Sequence, residues 1–128
     1  MILLDTCALL WLNEDRSRFT DKALKALESE ADELAVSAIS MFEIGVKVKR
    51  GKLKLPMAPV EWLERLAKHY GLLDLSLSSN IAGAAAELPE IHRDPFDRLI
   101  IATAIDRRVP IVTADKIFSK YPGVRVIW

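Results

Sequence analysis

The chain has 128 residues, 51% hydrophobic and 28% charged, with 18 basic against 18 acidic side chains. A chain of this length hides about two-thirds of its unfolded surface, so it can build a core without disulfides or a structural zinc. One cysteine, Cys7, and two histidines, His69 and His92, exclude an internal disulfide and a closed Cys/His zinc site, leaving oxygen atoms to hold any metal. Zero formal charge excludes a grip on nucleic acid by bulk electrostatics alone. The apolar start lacks a basic leader region and carries Asp5, and no stretch nears the ~20 apolar residues of a membrane span. A single soluble cytoplasmic domain, residues 1–128, is expected.

Ile2-Leu3-Leu4 reads as a short buried strand ending at Asp5-Thr6, with a helix from Cys7 to Asn13. Thr20 caps a helix whose Leu24 and Leu27 share a face and which ends around Glu30 to Asp32. Leu34-Ala35-Val36 is a second strand. Ser40 and Glu43 have capping-box spacing for a helix closed by Gly51, although Val46 to Lys49 also alternates with the period of an edge strand. Pro59 opens a helix with Val60, Leu63, Leu66, Ala67 and Tyr70 on one face, ended by Gly71. Leu73-Asp74-Leu75 is a strand, and Ser79 to Glu87 a helix of small residues stopped before Pro89. Asp94 caps a largely buried helix with Pro95 in its first position. Strands from Pro110 to Thr113 and from Val124 to Trp128 complete the chain. This alternation indicates an α/β fold, a small parallel sheet covered by helices on both faces.

In open α/β sheets, ligands bind beyond the carboxyl ends of the strands. Those positions here are acidic: Asp5 after the first strand, Glu43 in the helix after the second, Asp97 in the first turn after Asp94-Pro95, and Asp115 after the Pro110 strand. Each has an ordinary local explanation as a turn, a cap or a helix-dipole partner. Together they predict a rim whose mutual repulsion calls for a hard dication, Mg²⁺ or Mn²⁺, and hence for phosphoryl chemistry. Thr6, Ser40 and Thr113 add hydroxyls able to orient water or touch phosphate.

The run Met1-Ile-Leu-Leu-Asp5-Thr6, the segment Ser37-Ala-Ile-Ser40-Met-Phe-Glu43, the stretch His92-Arg-Asp94-Pro-Phe-Asp97-Arg98-Leu-Ile-Ile-Ala102 and the piece Ile111-Val112-Thr113-Ala114-Asp115 occur in this order. Together they resemble the PIN-domain family, in particular the VapC toxins of type II toxin–antitoxin pairs, over essentially the whole chain. The resemblance implies an α/β/α domain and a Mg²⁺- or Mn²⁺-dependent ribonuclease. It also implies a homodimer inhibited by a cognate antitoxin protein. Matched by motif, Asp5, Glu43, Asp97 and Asp115 fall on the acidic metal and catalytic positions, and Thr6 and Thr113 on the accompanying hydroxyls. Asp94 belongs to the same Asp-Pro-x-Asp-Arg signature and stays open as an alternative to Asp97. Cys7 stands where a small or polar residue is common and is expected to pack behind Asp5.

Lys47, Lys49, Arg50, Lys52 and Lys54 follow Glu43 closely, and with Arg107-Arg108 they are expected to guide RNA phosphates toward the rim. Trp11 and Trp62 are candidates for a partner surface, an antitoxin Arg or Lys reaching the acids is a natural inhibitor, and His69 and His92 are expected to be surface or packing residues. A haloacid-dehalogenase-type phosphatase needs a second Asp where Cys7 stands, and a receiver domain needs a better phospho-acceptor than Asp74. The remaining alternative is a catalytically inactive PIN fold that binds RNA or protein.

Overall fold

The computed structural model describes residues 1–128 apart from the side chain of Glu30. Five short strands, β1 (Ile2–Leu4), β2 (Leu34–Ser37), β3 (Leu73–Leu75), β4 (Ile111–Val112) and β5 (Val126–Ile127), form one parallel sheet in the order β3-β2-β1-β4-β5. Leu3 pairs with Ala35 on one side and Ile111 on the other, which puts β1 at the centre. The helices are α1 (Thr6–Glu14), α2 (Asp21–Lys25), α3 (Ala38–Lys49), α4 (Pro59–Tyr70), α5 (Ser79–Glu87) and α6 (Pro95–Arg107). A π turn, Ala26–Glu30, prolongs α2, which Thr20 caps by accepting from the Ala23 N–H at 3.1 Å.

Alternation along β1 divides the core into two layers. Ile2 and Leu4 face one way, among Leu9 and Leu12 of α1, Ala23 of α2 and Trp62 and Leu66 of α4; Leu3 faces the other, among Ile100, Ile101 and Ala104 of α6 with Phe118 and Tyr121. α5 lies outside α6, where Ile81 and Ala85 meet Ala102 across small side chains. Among the described residues no helix is long and apolar enough to cross a membrane.

Several expectations need correction. The cap of α3 is Ser37, whose Oγ accepts the Ile39 N–H at 3.2 Å, so β2 runs straight into the helix and Ser40 and Glu43 are not a capping box. They lie inside the helix, free to turn toward α1. Residues 46–49 are helical, not an edge strand. On α4 the buried face is Trp62 and Leu66, while Val60 is 61% exposed, because the helix is rotated so that its largest ring enters the core. Trp62 is therefore no partner surface. Trp11 is half-buried against Phe19 and Trp128, at centroid separations of 6.1 and 5.9 Å. The exposed apolar side chains beside α3 and α4 are instead Phe42 and Val60, which line one shallow groove with Met41 and Val46.

Trp62 is 1% exposed, and its indole N–H has no hydrogen-bond partner among the described residues. Trp62→Ala is expected to lower the unfolding free energy by about 3–5 kcal/mol in urea titration. Trp62→Phe should cost well under half of that, since it also removes an unsatisfied buried donor.

Candidate metal centre

The chain leaves β1 toward β2 and β3 and returns on the other side as β4 and β5, so the strand order reverses between β1 and β4. A crevice beyond the carboxyl ends of those two strands is the ligand position of such a sheet. Asp5 is the residue directly after β1, and it caps α1: Oδ1 accepts the Ala8 N–H at 2.7 Å. Its other oxygen, Oδ2, accepts the Thr113 hydroxyl from the end of β4. Burial pushes the Asp5 carboxyl up to about 6, against the Thr113 and Ala8 bonds and with the charges of Glu43 and Asp115.

Glu43 reaches the same cleft from the second turn of α3. The Thr6 hydroxyl donates to its Oε1 at 2.8 Å and lies 3.1 Å from the Ser40 hydroxyl, while Lys47 Nζ pairs with its Oε2 at 2.8 Å. α6 contributes from its start. Asp94 caps it by accepting the Phe96 N–H at 2.9 Å, and Asp97 follows within the first turn. Burial, then the neighbouring Asp94 charge, pushes the Asp97 carboxyl up to about 7. Asp115 is fixed beyond β4, its Oδ1 accepting the Ile117 N–H at 2.9 Å.

Asp5, Glu43, Asp97 and Asp115 thus line one cleft of about 380 Å³, together with Thr6, Lys47 and Asp94. A larger depression, about 610 Å³, beside Arg16, Glu28 and Tyr70 contains none of these acids. Four carboxylates from four segments offer hard oxygen donors, and two of them are driven toward their protonated forms. That donor set fits Mg²⁺ or Mn²⁺, whose charge would relieve the crowding.

The other named residues divide. Ser40 and Thr113 are 0% and 1% exposed and lie beneath the cleft, so they do not touch substrate as expected; Thr113 donates to Asp5, and Ser40 packs against the Thr6 hydroxyl. Lys47 lines the cleft, whereas Lys49 and Arg50 are exposed at the far end of α3. Arg107 and Arg108 close α6 some ten residues after Asp97, about 15 Å along the helix from it. Cys7 is exposed on the cleft wall and does not pack behind Asp5, because α1 turns its side chain outward.

His92 is the residue sequence reasoning misplaced. Its Nε2 lies 2.8 Å from Asp97 Oδ2 and 3.1 Å from Asp115 Oδ2. One potential ligand atom from each of the three lies within 4.8 Å of the others. The available signal was its position two residues before the α6 cap, on the turn that must pass the rim.

The PIN-domain family model matches residues 2–124. Ribonuclease VapC22 of Mycobacterium tuberculosis is 34% identical over 130 residues, covering 99% of this chain and 98% of that protein. The chain therefore belongs to the PIN-domain family, and to the VapC-type members of it. Among solved structures, a toxin–antitoxin complex from Klebsiella pneumoniae holds a chain 28% identical, with TM-score 0.64 and coverage of 97% and 95% of the two chains. VapBC2 from Rickettsia felis, bound to a DNA fragment from its promoter, shares the fold at TM-score 0.70 and 20% identity over 98% and 97%.

The raised carboxyls give a signed pH dependence. Asp5 and Asp97 have folded values of about 6 and about 7 against the ordinary 3.8, so the folded state holds their protons more tightly than the unfolded one. Their stabilising contribution is complete below the unfolded value and is lost as pH rises through about 6 and about 7. In chelator, the melting temperature should fall between pH 5 and pH 8 and fall less in Asp97→Asn. Excess Mn²⁺ should raise it more at pH 8 than at pH 5.5, since the ion competes with protons for the same oxygens. A chelated melting temperature that climbs across this window would contradict the assignment.

Proposed function

We propose that this protein is a metal-dependent endoribonuclease toxin, working as a homodimer in the cytoplasm and held inactive by a cognate antitoxin protein. The observation that carries the reading is the convergence of Asp5, Glu43, Asp97 and Asp115 on one cleft at the strand-order reversal. The near full-length likeness to a protein named as a ribonuclease supplies the reaction class.

Asp5, Asp97 and Asp115 would hold the ion, Mg²⁺ or Mn²⁺, through carboxylate oxygens, with Glu43 beside them. When bound, such an ion makes water a stronger nucleophile and stabilises the negative charge that builds on phosphorus. Glu43, fixed by the Thr6 hydroxyl, orients the attacking water, and Asp5, anchored at both oxygens, keeps the metal position rigid. Lys47 offers an ammonium at the same wall for a phosphate oxygen. Water adds to phosphorus and the 3′ oxygen leaves with a proton, giving a 5′-phosphate and a 3′-hydroxyl with no covalent enzyme intermediate and no need for the 2′-hydroxyl. An antitoxin segment carrying Arg or Lys into the cleft would inhibit by neutralising the same carboxylates.

Incubation with mixed RNAs should give cleavage that requires Mg²⁺ or Mn²⁺, stops with chelator and leaves 5′-phosphate ends. Asp97→Asn should reduce the rate more than about 100-fold, beyond the ~10–100-fold typical of losing an outer partner of a metal ligand, while the protein stays folded. Full activity in folded Asp97→Asn would move the role to Asp94. Replacing Lys49, Arg50 and Lys52 by Ala should weaken RNA binding equally for all sequences. The log–log salt slope should then decrease by about 2, at ~0.7 per phosphate contact on a single strand. An unchanged slope would leave these side chains as solvated surface.

A further inference from the structure

We propose that His92 is a positioning residue of the candidate metal centre, an N–H bridge that fixes the Asp97 and Asp115 carboxylates relative to one another. The proposal rests on the metal-binding reading of the cleft and adds a component that the four acids do not supply.

The two carboxylates come from different segments, Asp97 from the start of α6 and Asp115 from the loop after β4. The only described group that touches both is His92 Nε2, at 2.8 Å from Asp97 Oδ2 and 3.1 Å from Asp115 Oδ2. The other ring nitrogen settles which of the two carries a proton. Nδ1 receives the Asp94 backbone N–H at 3.3 Å, so it acts as an acceptor and the ring proton resides on Nε2, facing the carboxylates. Nε2 is therefore arranged as a donor to two acids and not as a lone pair for a cation.

The ring is also held from outside the acidic cluster. The His92 backbone N–H donates to the Tyr121 hydroxyl at 2.7 Å, and Tyr121 is 2% exposed. The edge of the ring meets Phe118 at a centroid distance of 6.1 Å. Arg98, the residue after Asp97, staples the preceding turn: its guanidinium donates to the carbonyls of Ala85 at 2.8 Å and of Leu88 and Pro89 at 2.9 Å. Those bonds close the end of α5 onto α6 and fix the path of the chain into His92. Asp97 and Arg98 thus hold the two ends of one device, the first receiving the imidazole and the second securing the turn that carries it. A donor supported this way orients ligands before the ion arrives. Such outer partners of metal-holding carboxylates change affinity by roughly 10–100-fold when lost.

The test is Mn²⁺ affinity by titration calorimetry on the full chain, which needs no RNA and no turnover, with circular dichroism to confirm folding. His92→Ala is expected to bind Mn²⁺ about 10–100-fold more weakly than wild type. His92→Gln, whose amide N–H reaches the position of Nε2–H, should recover most of the loss. Tyr121→Phe, which keeps the imidazole but unties its backbone, should show a smaller loss. Unchanged or tighter Mn²⁺ binding in His92→Ala overturns the proposal, the latter marking the imidazole as a competitor for the carboxylates. Failure of His92→Gln to rescue, with Ni²⁺ affinity lost more steeply than Mn²⁺, also overturns it by making Nε2 a ligand. Wild-type protein that binds no Mn²⁺ would defeat the metal-centre reading itself, an outcome separate from the other two.

Discussion

The structure depends on the cost of placing like charges together at the carboxyl edge of the sheet. Two carboxylates 4 Å apart repel by about 4 kcal/mol at an effective dielectric of ~20, a large fraction of the ~5–15 kcal/mol that holds a domain folded. The protein meets this cost locally and incompletely. Asp5 accepts hydrogen bonds at both oxygens, Glu43 pairs with Lys47, and Asp97 shares the His92 N–H with Asp115. Asp5 and Asp94 also sit at the starts of α1 and α6, where the helix dipole favours negative charge. Burial first, and then the like charge these devices leave uncompensated, raises the carboxyls of Asp5 and Asp97.

The fold explains how so small a sheet concentrates the charge. Strands of two to four residues leave little loop between a strand end and the next helix, and at Asp5 and Ser37 the cap of the helix is the end of the strand or the residue after it. A side chain one or two turns into the helix can then reach the rim, as Glu43 does. The buried hydroxyls of Thr6, Ser40 and Thr113 belong to the same construction. Removed from solvent, Thr6 and Thr113 hold the Glu43 and Asp5 carboxylates in one orientation and Ser40 backs Thr6, which is the service an ordered metal position requires and a mobile phosphate contact does not.

Much of this was legible in the sequence because it is governed by local rules. Unbroken apolar runs marked the buried strands, and Thr20, Asp94-Pro95 and Gly71 marked helix ends by capping and backbone preference. The acids were legible as a set because α/β topology ties strand ends to a ligand crevice. The misplaced residues are those whose roles come from a distant partner. Ser40 and Glu43 have the spacing of a capping box, and only the approach of Thr6 from α1 turns them inward. Val60 and Trp62 both fit a helical stripe, and the shape of the core selects the ring. His92 sits within an acidic motif, yet its contact with Asp115 joins segments 23 residues apart that periodicity cannot bring together.

The same charge distribution couples the groups that bind in the cleft. RNA is a polyanion, and a cleft walled by Asp5, Glu43, Asp94, Asp97 and Asp115 repels it while those groups are ionised and uncompensated. A cation in the cleft and a phosphate at its mouth therefore favour each other's binding by the same free energy, as linkage requires. A basic side chain from an inhibitor would relieve the same repulsion without supplying a Lewis acid. Such an inhibitor occupies the electrostatic need of the site and blocks its chemistry at once. The acidity that the fold works to contain is thus the property that makes the cleft selective for what may enter it.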